Sequence, residues 1–193
     1  MIDRCTRWHA ACLVPSKEEA ILIDALDTIW VGIHGPMKEL IMDGEAGMAA
    51  SAHAKQYYER HGIQFIPRAK EQQVAHVDRR GALLRDTLHR VTTQCKTEGL
   101  DIEFEQILSE CVFCGNAMLS VNGSTPYNAV YGRVPALLPD SSSPIDGAAP
   151  GTVRHVQRMR EISITGYGCR HCAGSSETSI GDKDKIRLAE LRL

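Results

Sequence analysis

Two aspartates, Asp43 and Asp78, are the residues whose type and placement best fit a chemical role. Asp43 enters the glycine-containing turn Asp43-Gly44-Glu45, where the backbone can approach a ligand closely. Carboxylate oxygens are the ligands that Mg²⁺ and Mn²⁺ prefer. Two carboxylates brought together could hold the ions of a two-metal phosphoryl transfer, in which one ion activates the attacking oxygen and the other stabilises the leaving oxygen. The chain has 24 acidic residues, so many pairs of acids are possible. This pair can form a metal site only if the fold brings the two side chains together.

An alternation of strand and helix patterns would position the two acids. The predicted strands are 10–14, 38–43 and 63–67, and the predicted helices are 17–34, 47–61 and 72–96. This order predicts an α/β domain with parallel pairing in its sheet. Functional groups in open α/β sheets collect where strands end. Asp43 ends the second strand and Asp78 lies near the start of the third helix, so we expect them to approach each other.

The chain divides at about residue 100 into two halves of different character. Ser16 and Glu19 have the spacing of a capping box at the first helix, and Asp101 is expected to cap a helix over 101–119. The predicted divisions are a partial core at 1–100, a helix and turn-rich segment at 101–138, a linker at 139–152 and an ill-defined tail at 153–193. The linker prediction rests on a run of Pro, Ser, Gly, Ala and Asp.

Four segments resemble the integrase catalytic core of LTR-type, retroviral-like retrotransposons. They are DRCTRWHAACLV (3–14), WVGIHGPMKELIMDGEAGM (30–48), QQVAHVDRRGALLRDTLHRV (72–91) and NAMLSVNGSTPYNAVYGRVPALLPD (116–140). Together they cover roughly residues 1–140, in the family's order and with near-family gaps. The resemblance implies a ribonuclease H-like fold, with a mixed sheet flanked by helices, lacking its first strand, and a helical and irregular C-terminal extension.

The resemblance also implies roles for the acids. Asp43 takes the place of the family's second catalytic acid, and Asp78 takes the place of the third, which is usually glutamate. Thirty-four residues (44–77) lie between them, one fewer than is usual. The shorter Asp78 side chain would hold its carboxylate back from a metal, and displacements of roughly 1 Å can cost about a hundredfold in rate.

The family's first acid has no match in this chain. The strand that carries it would lie before Met1, and Asp3 belongs to the pattern that follows that strand in the family. We therefore expect a remnant of a DNA-integrating polynucleotidyl transferase, inactive as written and retaining at most nucleic-acid binding.

The partners implied by the resemblance are the element's DNA ends and a target duplex, with Mg²⁺ or Mn²⁺ as cofactor; a homo-oligomer stays open. Arg79, Arg80 and Arg85 are the candidates for contacts with DNA phosphates. Arg85 is the best match and shares a predicted helix face with Asp78, seven residues earlier. An ordinary solvated helix face would carry the same charges.

A zinc or interaction module is the alternative function. Cys111-Val-Phe-Cys114 and Cys169-Arg-His-Cys172 both have a zinc-ligand spacing. Fifty-four residues (115–168) separate the pairs, more than in compact zinc modules, and the first pair falls in a predicted amphipathic helix that could bury both thiols. Zinc is therefore not the expected cofactor. A degraded reading frame that yields no stable protein is a third interpretation.

Composition limits the remaining function classes. The chain is 43% hydrophobic and 24% charged, which is typical of a globular protein. Its net charge of −2 argues against a protein coated all over with nucleic acid, but it permits a local basic face. No apolar run is long enough for a membrane span, and the amino terminus does not resemble a secretion signal. Seven cysteines, an odd number, favour reduced thiols and hence the nucleus or cytoplasm.

Overall fold

The computed structural model describes residues 1–43, 48, 51–68, 75–121, 123–137 and 152–168. Its elements are α1 (Glu19–Leu26), a π-helical turn (Asp27–Val31), α2 (Gly32–His34), β1 (Glu39–Asp43), α3 (Ala52–His61), β2 (Gln64–Arg68), α4 (Ala75–Thr97), α5 (Phe104–Met118), α6 (Pro126–Tyr131) and α7 (Thr152–Gly168). The described part is therefore α/β, mostly helical, with a two-stranded parallel sheet. The first of two compact units contains Met1–Cys5 and His9–Gly81, and the second contains Thr6–Trp8 and the described residues from Ala82 onward.

The parallel pair β1–β2 is the centre of the first unit. Leu40 lies opposite Phe65, and Asp43 lies opposite Arg68. Leu40, Ile41 and Met42 are all buried, as expected of a strand that is covered on both faces. Parallel strands need a crossover connection, and α3 supplies it. The predicted strands at 38–43 and 63–67 and their parallel pairing are confirmed.

The predicted strand at 10–14 is wrong. Ala10 exchanges two backbone hydrogen bonds with Met1 (3.0 and 2.6 Å), beside an isolated antiparallel bridge between Ile2 and His9. Residues 11–14 form no strand, and Leu13 is 36% exposed. An apolar run becomes a strand only where a neighbour pairs with its backbone. Within the described residues the sheet contains β1 and β2, and residues 10–14 add no third strand to it.

The predicted capping box at α1 is also wrong. The residue that caps α1 is Glu18, whose N–H donates to Ser16 Oγ at 3.2 Å. Glu19 does not reach back to the start of its own helix; its carboxylate accepts a hydrogen bond from the hydroxyl of Ser51 and lies 3.6 Å from Nδ1 of His53. Ser51 is the cap of α3, so Glu19 places negative charge at the amino-terminal end of α3, where the helix dipole favours it.

The three helices predicted in the first half are confirmed. The segment 17–34 forms α1, the π-helical turn and α2 in succession, and the segments 47–61 and 72–96 contain α3 and most of α4. Gly62 ends α3 with a left-handed φ of 66°, a conformation that favours glycine. Trp30 is buried, whereas Trp8 is half-buried.

The second unit contains two helices that the sequence analysis did not predict. In the part of 101–138 expected to be turn-rich, α6 begins at Pro126 after the cap Thr125, whose Oγ1 accepts from the Asn128 N–H at 3.2 Å. In the segment expected to be an ill-defined tail, α7 packs against α5. Its buried residues recur at helical spacing, as Met159, Ile162, Ser163 and Tyr167. The helix predicted from Asp101 begins later, with Glu103 as its cap.

An ion pair between Glu110 of α5 and Arg160 of α7 lies at the contact between these helices. The guanidinium donates to both carboxylate oxygens, from Nε at 2.6 Å and from Nη2 at 3.2 Å. Glu110 is buried, and the Arg160 guanidinium also lies 5.1 Å from the ring centroid of Phe113. The hydrogen bonds to the Glu110 carboxylate raise the pKa of Arg160, so the guanidinium stays charged.

Glu110→Ala is expected to lower the free energy of unfolding by about 2 to 3 kcal/mol, because Arg160 would lose a buried partner while keeping only partial access to water. The measurement is urea denaturation of the wild type and the variant. Adding Arg160→Met to Glu110→Ala should restore much of the loss, because an apolar pair removes the stranded charge. If the double variant loses as much free energy of unfolding as the two single variants lose together, this account is wrong.

Candidate functional site

Asp43 is the last residue of β1 and therefore lies at the carboxyl end of a parallel strand. Its backbone is paired with Arg68 at the end of β2. The ends of both strands thus lie at one edge of the sheet, which is where open α/β sheets place functional groups. The Asp43 side chain and residues 44–47 lie outside the described part of the chain.

Asp78 lies in the first turn of α4, the helix that follows β2. It is half-buried, and its Oδ2 atom is shielded from solvent. Asp43 and Asp78 belong to the same compact unit. Their chain positions agree with the expected juxtaposition, but the approach of the two carboxylates stays a prediction because only one of the two side chains is described.

The three arginines predicted to bind phosphates all lie on α4. Arg79 is exposed, whereas Arg80 is half-buried. The pKa of His9 lies well below its usual value, mainly because the imidazole is buried and further because of the amino terminus and Arg80. Arg80 is thus close enough to His9 to influence it. Arg85 is exposed and belongs to the second unit.

Asp3, which the resemblance assigns to the segment that follows the family's first catalytic strand, is half-buried. Its negative charge acts on His34, the last residue of α2. Partial burial lowers the pKa of His34, and the negative charge of Asp3 opposes that shift. The structure thus associates Asp3 with the end of α2.

The first C-x-x-C pair lies in the core of the second unit. Cys111 and Cys114 are buried on one face of α5, so the interpretation of these thiols as core residues is confirmed. Burial raises the pKa of Cys111 to about 12 and also raises that of Cys114, which keeps both as thiols and works against thiolate ligation in this packing. Cys169 and Cys172 lie outside the described residues, so the zinc alternative stays a prediction.

The donor chemistry of Asp43 and Asp78 fits Mg²⁺ or Mn²⁺, since both residues supply hard oxygen ligands. Within the described part of the chain, no three side chains of histidine, cysteine, aspartate or glutamate gather as a metal site. A two-carboxylate site that keeps several water ligands is compatible with magnesium, which gives up its water reluctantly.

A cluster of aromatic side chains on the second unit was not anticipated. Trp8 contacts Tyr127 and Tyr131 of α6, with ring centroids 6.0 and 5.5 Å apart respectively. Its signal in the sequence is the four-residue spacing of the two tyrosines, which places them on one face of a helix. That signal is visible only if residues 126–131 are recognised as a helix, whereas the sequence predicted a turn-rich segment there.

Comparison with models of protein families gives no match, and comparison with curated proteins gives none either. None of the helices in the described part of the chain is both long and apolar enough to cross a membrane.

Asp78→Asn is expected to weaken Mn²⁺ binding by about tenfold or more, since the site would lose one of its two charged ligands. The measurement is a Mn²⁺ titration followed by electron paramagnetic resonance, in which free and bound ions differ. Asp43→Asn should have a similar effect.

Asp86→Asn is the matched control, since it removes the same charge from the same helix at a residue that pairs with Arg90 at 3.1 Å. Equal Mn²⁺ affinity in the wild type and all three variants would show that Asp43 and Asp78 are not metal ligands.

Proposed function

We propose that this chain is derived from a retrotransposon integrase core, with a ribonuclease H-like arrangement around β1 and β2, and that it binds DNA. The main support is the connection β1–α3–β2–α4, of which the first compact unit contains β1, α3, β2 and the beginning of α4. It puts Asp43 at the carboxyl end of one parallel strand and Asp78 in the first turn of the helix that follows its neighbour. The two acids of the integrase-like segments therefore occupy positions from which a shared metal site can be built.

The chain's own residues supply two kinds of groups for this function. Asp43 and Asp78 would hold a divalent ion, which when bound would polarise a phosphate and stabilise a leaving oxygen. Arg79 and Arg85 carry exposed guanidinium groups that can pair with phosphate oxygens along a DNA backbone. Arg80 has less access to a ligand because it is half-buried.

Phosphate contacts of this kind are independent of sequence and release counterions from DNA, so binding should weaken steeply as salt rises. Arg85→Ala should weaken binding uniformly across duplexes of different sequence and reduce the slope of log K against log salt by about one. Fluorescence anisotropy with labelled duplexes at several salt concentrations measures both quantities.

Arg60→Ala provides the control, because Arg60 is an exposed arginine on α3 and its removal changes the net charge equally. The proposal predicts that this variant keeps the wild-type slope. If binding does not respond to salt, or if both variants behave alike, α4 is not the phosphate-binding element.

Strand transfer is expected to be undetectable for residues 1–193 with either Mg²⁺ or Mn²⁺. Two-metal chemistry needs enough carboxylate charge to hold both ions, about 3.5–4 Å apart, and the resemblance assigns only Asp43 and Asp78 to that role. The assay measures the joining of a recessed DNA end to a target duplex. Joining that is abolished by Asp3→Asn would show that Asp3 supplies the missing carboxylate.

A further inference from the structure

The aromatic cluster of the second unit is formed by Trp8, Tyr127, Tyr131 and Phe113. The ring of Tyr127 contacts Tyr131 at 4.8 Å and Phe113 at 6.0 Å between centroids, and Trp8 meets Tyr131 edge to face. These distances and tilts are typical of favourable aromatic pairs. The cluster therefore holds its rings in defined orientations.

The cluster keeps part of its apolar surface in water. Tyr131 is 47% exposed, and Val134, three residues further on, is 72% exposed. Aromatic side chains in a core bury 150–250 Å² each, roughly, and gain most of their stabilising effect from that burial. This exposed surface is therefore available to a ligand.

The backbone that enters the cluster has an unusual conformation at Arg7. Arg7 has a left-handed backbone with φ of 63°, the one described residue other than glycine with a positive φ. The following Trp8 N–H donates to Thr6 Oγ1 at 3.2 Å. Left-handed backbone costs roughly 1–2 kcal/mol for a residue with a side chain, so its surroundings must hold it in place. The backbone that leads into Trp8 is thus held in a defined conformation.

Positive charge lies beside the exposed rings. The guanidinium of Arg133 is 5.9 Å from the ring centroid of Tyr127, and its Nη2 donates to the Tyr127 hydroxyl at 3.4 Å. Arg133 is exposed, and these are the contacts that the structure records for it. An aromatic surface with an adjacent arginine has the composition that proteins use to bind single-stranded nucleic acid, where bases stack on rings and cations pair with phosphates.

We propose that the Trp8–Tyr127–Tyr131 surface stacks an unpaired nucleobase and that Arg133 pairs with the phosphate next to it. This inference rests on the proposed nucleic-acid binding and adds a substrate class, single-stranded DNA, to it. A proline-rich peptide also docks on exposed aromatic rings, but it offers no anion to Arg133. Charge complementarity therefore favours the nucleic acid.

The test uses residues 1–193 with a fluorescently labelled oligothymidylate of twelve nucleotides and an abasic oligonucleotide of the same length. Tyr131→Leu should weaken binding of the oligothymidylate by about fivefold to a hundredfold, the range for losing a stacked base. Tyr131→Phe keeps the ring and should bind within about twofold of the wild type. The abasic strand keeps its phosphates but has nothing to stack, so it should not distinguish Tyr131→Leu from the wild type.

Duplex binding separates this inference from the proposed function. If the wild type and Tyr131→Leu bind the duplex equally and only the oligothymidylate affinity falls, the stacking site is supported. If the duplex binds but Tyr131→Leu leaves oligothymidylate affinity unchanged, the stacking site is wrong and the proposed function stands. If neither DNA binds, both are wrong. Binding of a polyproline peptide that depends on Tyr131, without binding of DNA, would assign the surface to a protein partner.

Discussion

The parallel pairing of β1 with β2 is the constraint on which the candidate metal site depends. Parallel strands end at the same edge of a sheet, so their carboxyl ends and the chain that leaves them are brought together. Here the pairing puts Asp43 opposite Arg68 and delivers α4, with Asp78 in its first turn, from the same edge. If the strands were antiparallel, their carboxyl ends would lie at opposite edges and the two acids would have no common site.

Polar contacts between helices reinforce this arrangement in the first unit. Glu19 accepts a hydrogen bond from the Ser51 hydroxyl, and the Tyr57 hydroxyl donates to Asp27 at 3.0 Å. Both contacts join the crossover helix α3 to the helical segment before β1. Burial raises the pKa of Tyr57 well above its usual value, and the hydrogen bond to Asp27 raises it further, so the phenol stays a donor. The crossover is therefore held by directional bonds as well as by apolar packing.

The second unit is held together by a different set of interactions. A partly buried ion pair, Glu110 with Arg160, and the hydrogen bond from the Tyr167 hydroxyl to the Cys111 carbonyl at 2.9 Å lie between α5 and α7. On the surface, Arg158 of α7 donates two hydrogen bonds of 2.8 Å to Glu98. These bonds, more than any other interaction, hold the pKa of Glu98 down, at about 2. Charged pairs thus join α7 to neighbours that are distant in sequence.

The sequence by itself determined the elements whose patterns are local. The apolar runs at 38–43 and 63–67 and the helical spacing of 72–96 predicted β1, β2 and the helix that carries Asp78. The sequence also contains the capping residues of α6 and the helical spacing of the buried residues of α7. These two helices were not predicted because proline and glycine near α6, and the low-complexity segment before α7, indicated irregular structure. Only the tertiary structure decided which groups pair across the chain. Residues 11–14 have the composition of a strand but pair with no strand in the described part of the chain, and Glu19 has the spacing of a capping box but accepts a hydrogen bond from Ser51. Local spacing determines which contacts a residue can make within its own helix or strand. Hydrogen bonds and burial between distant segments depend on partners that only folding brings within reach.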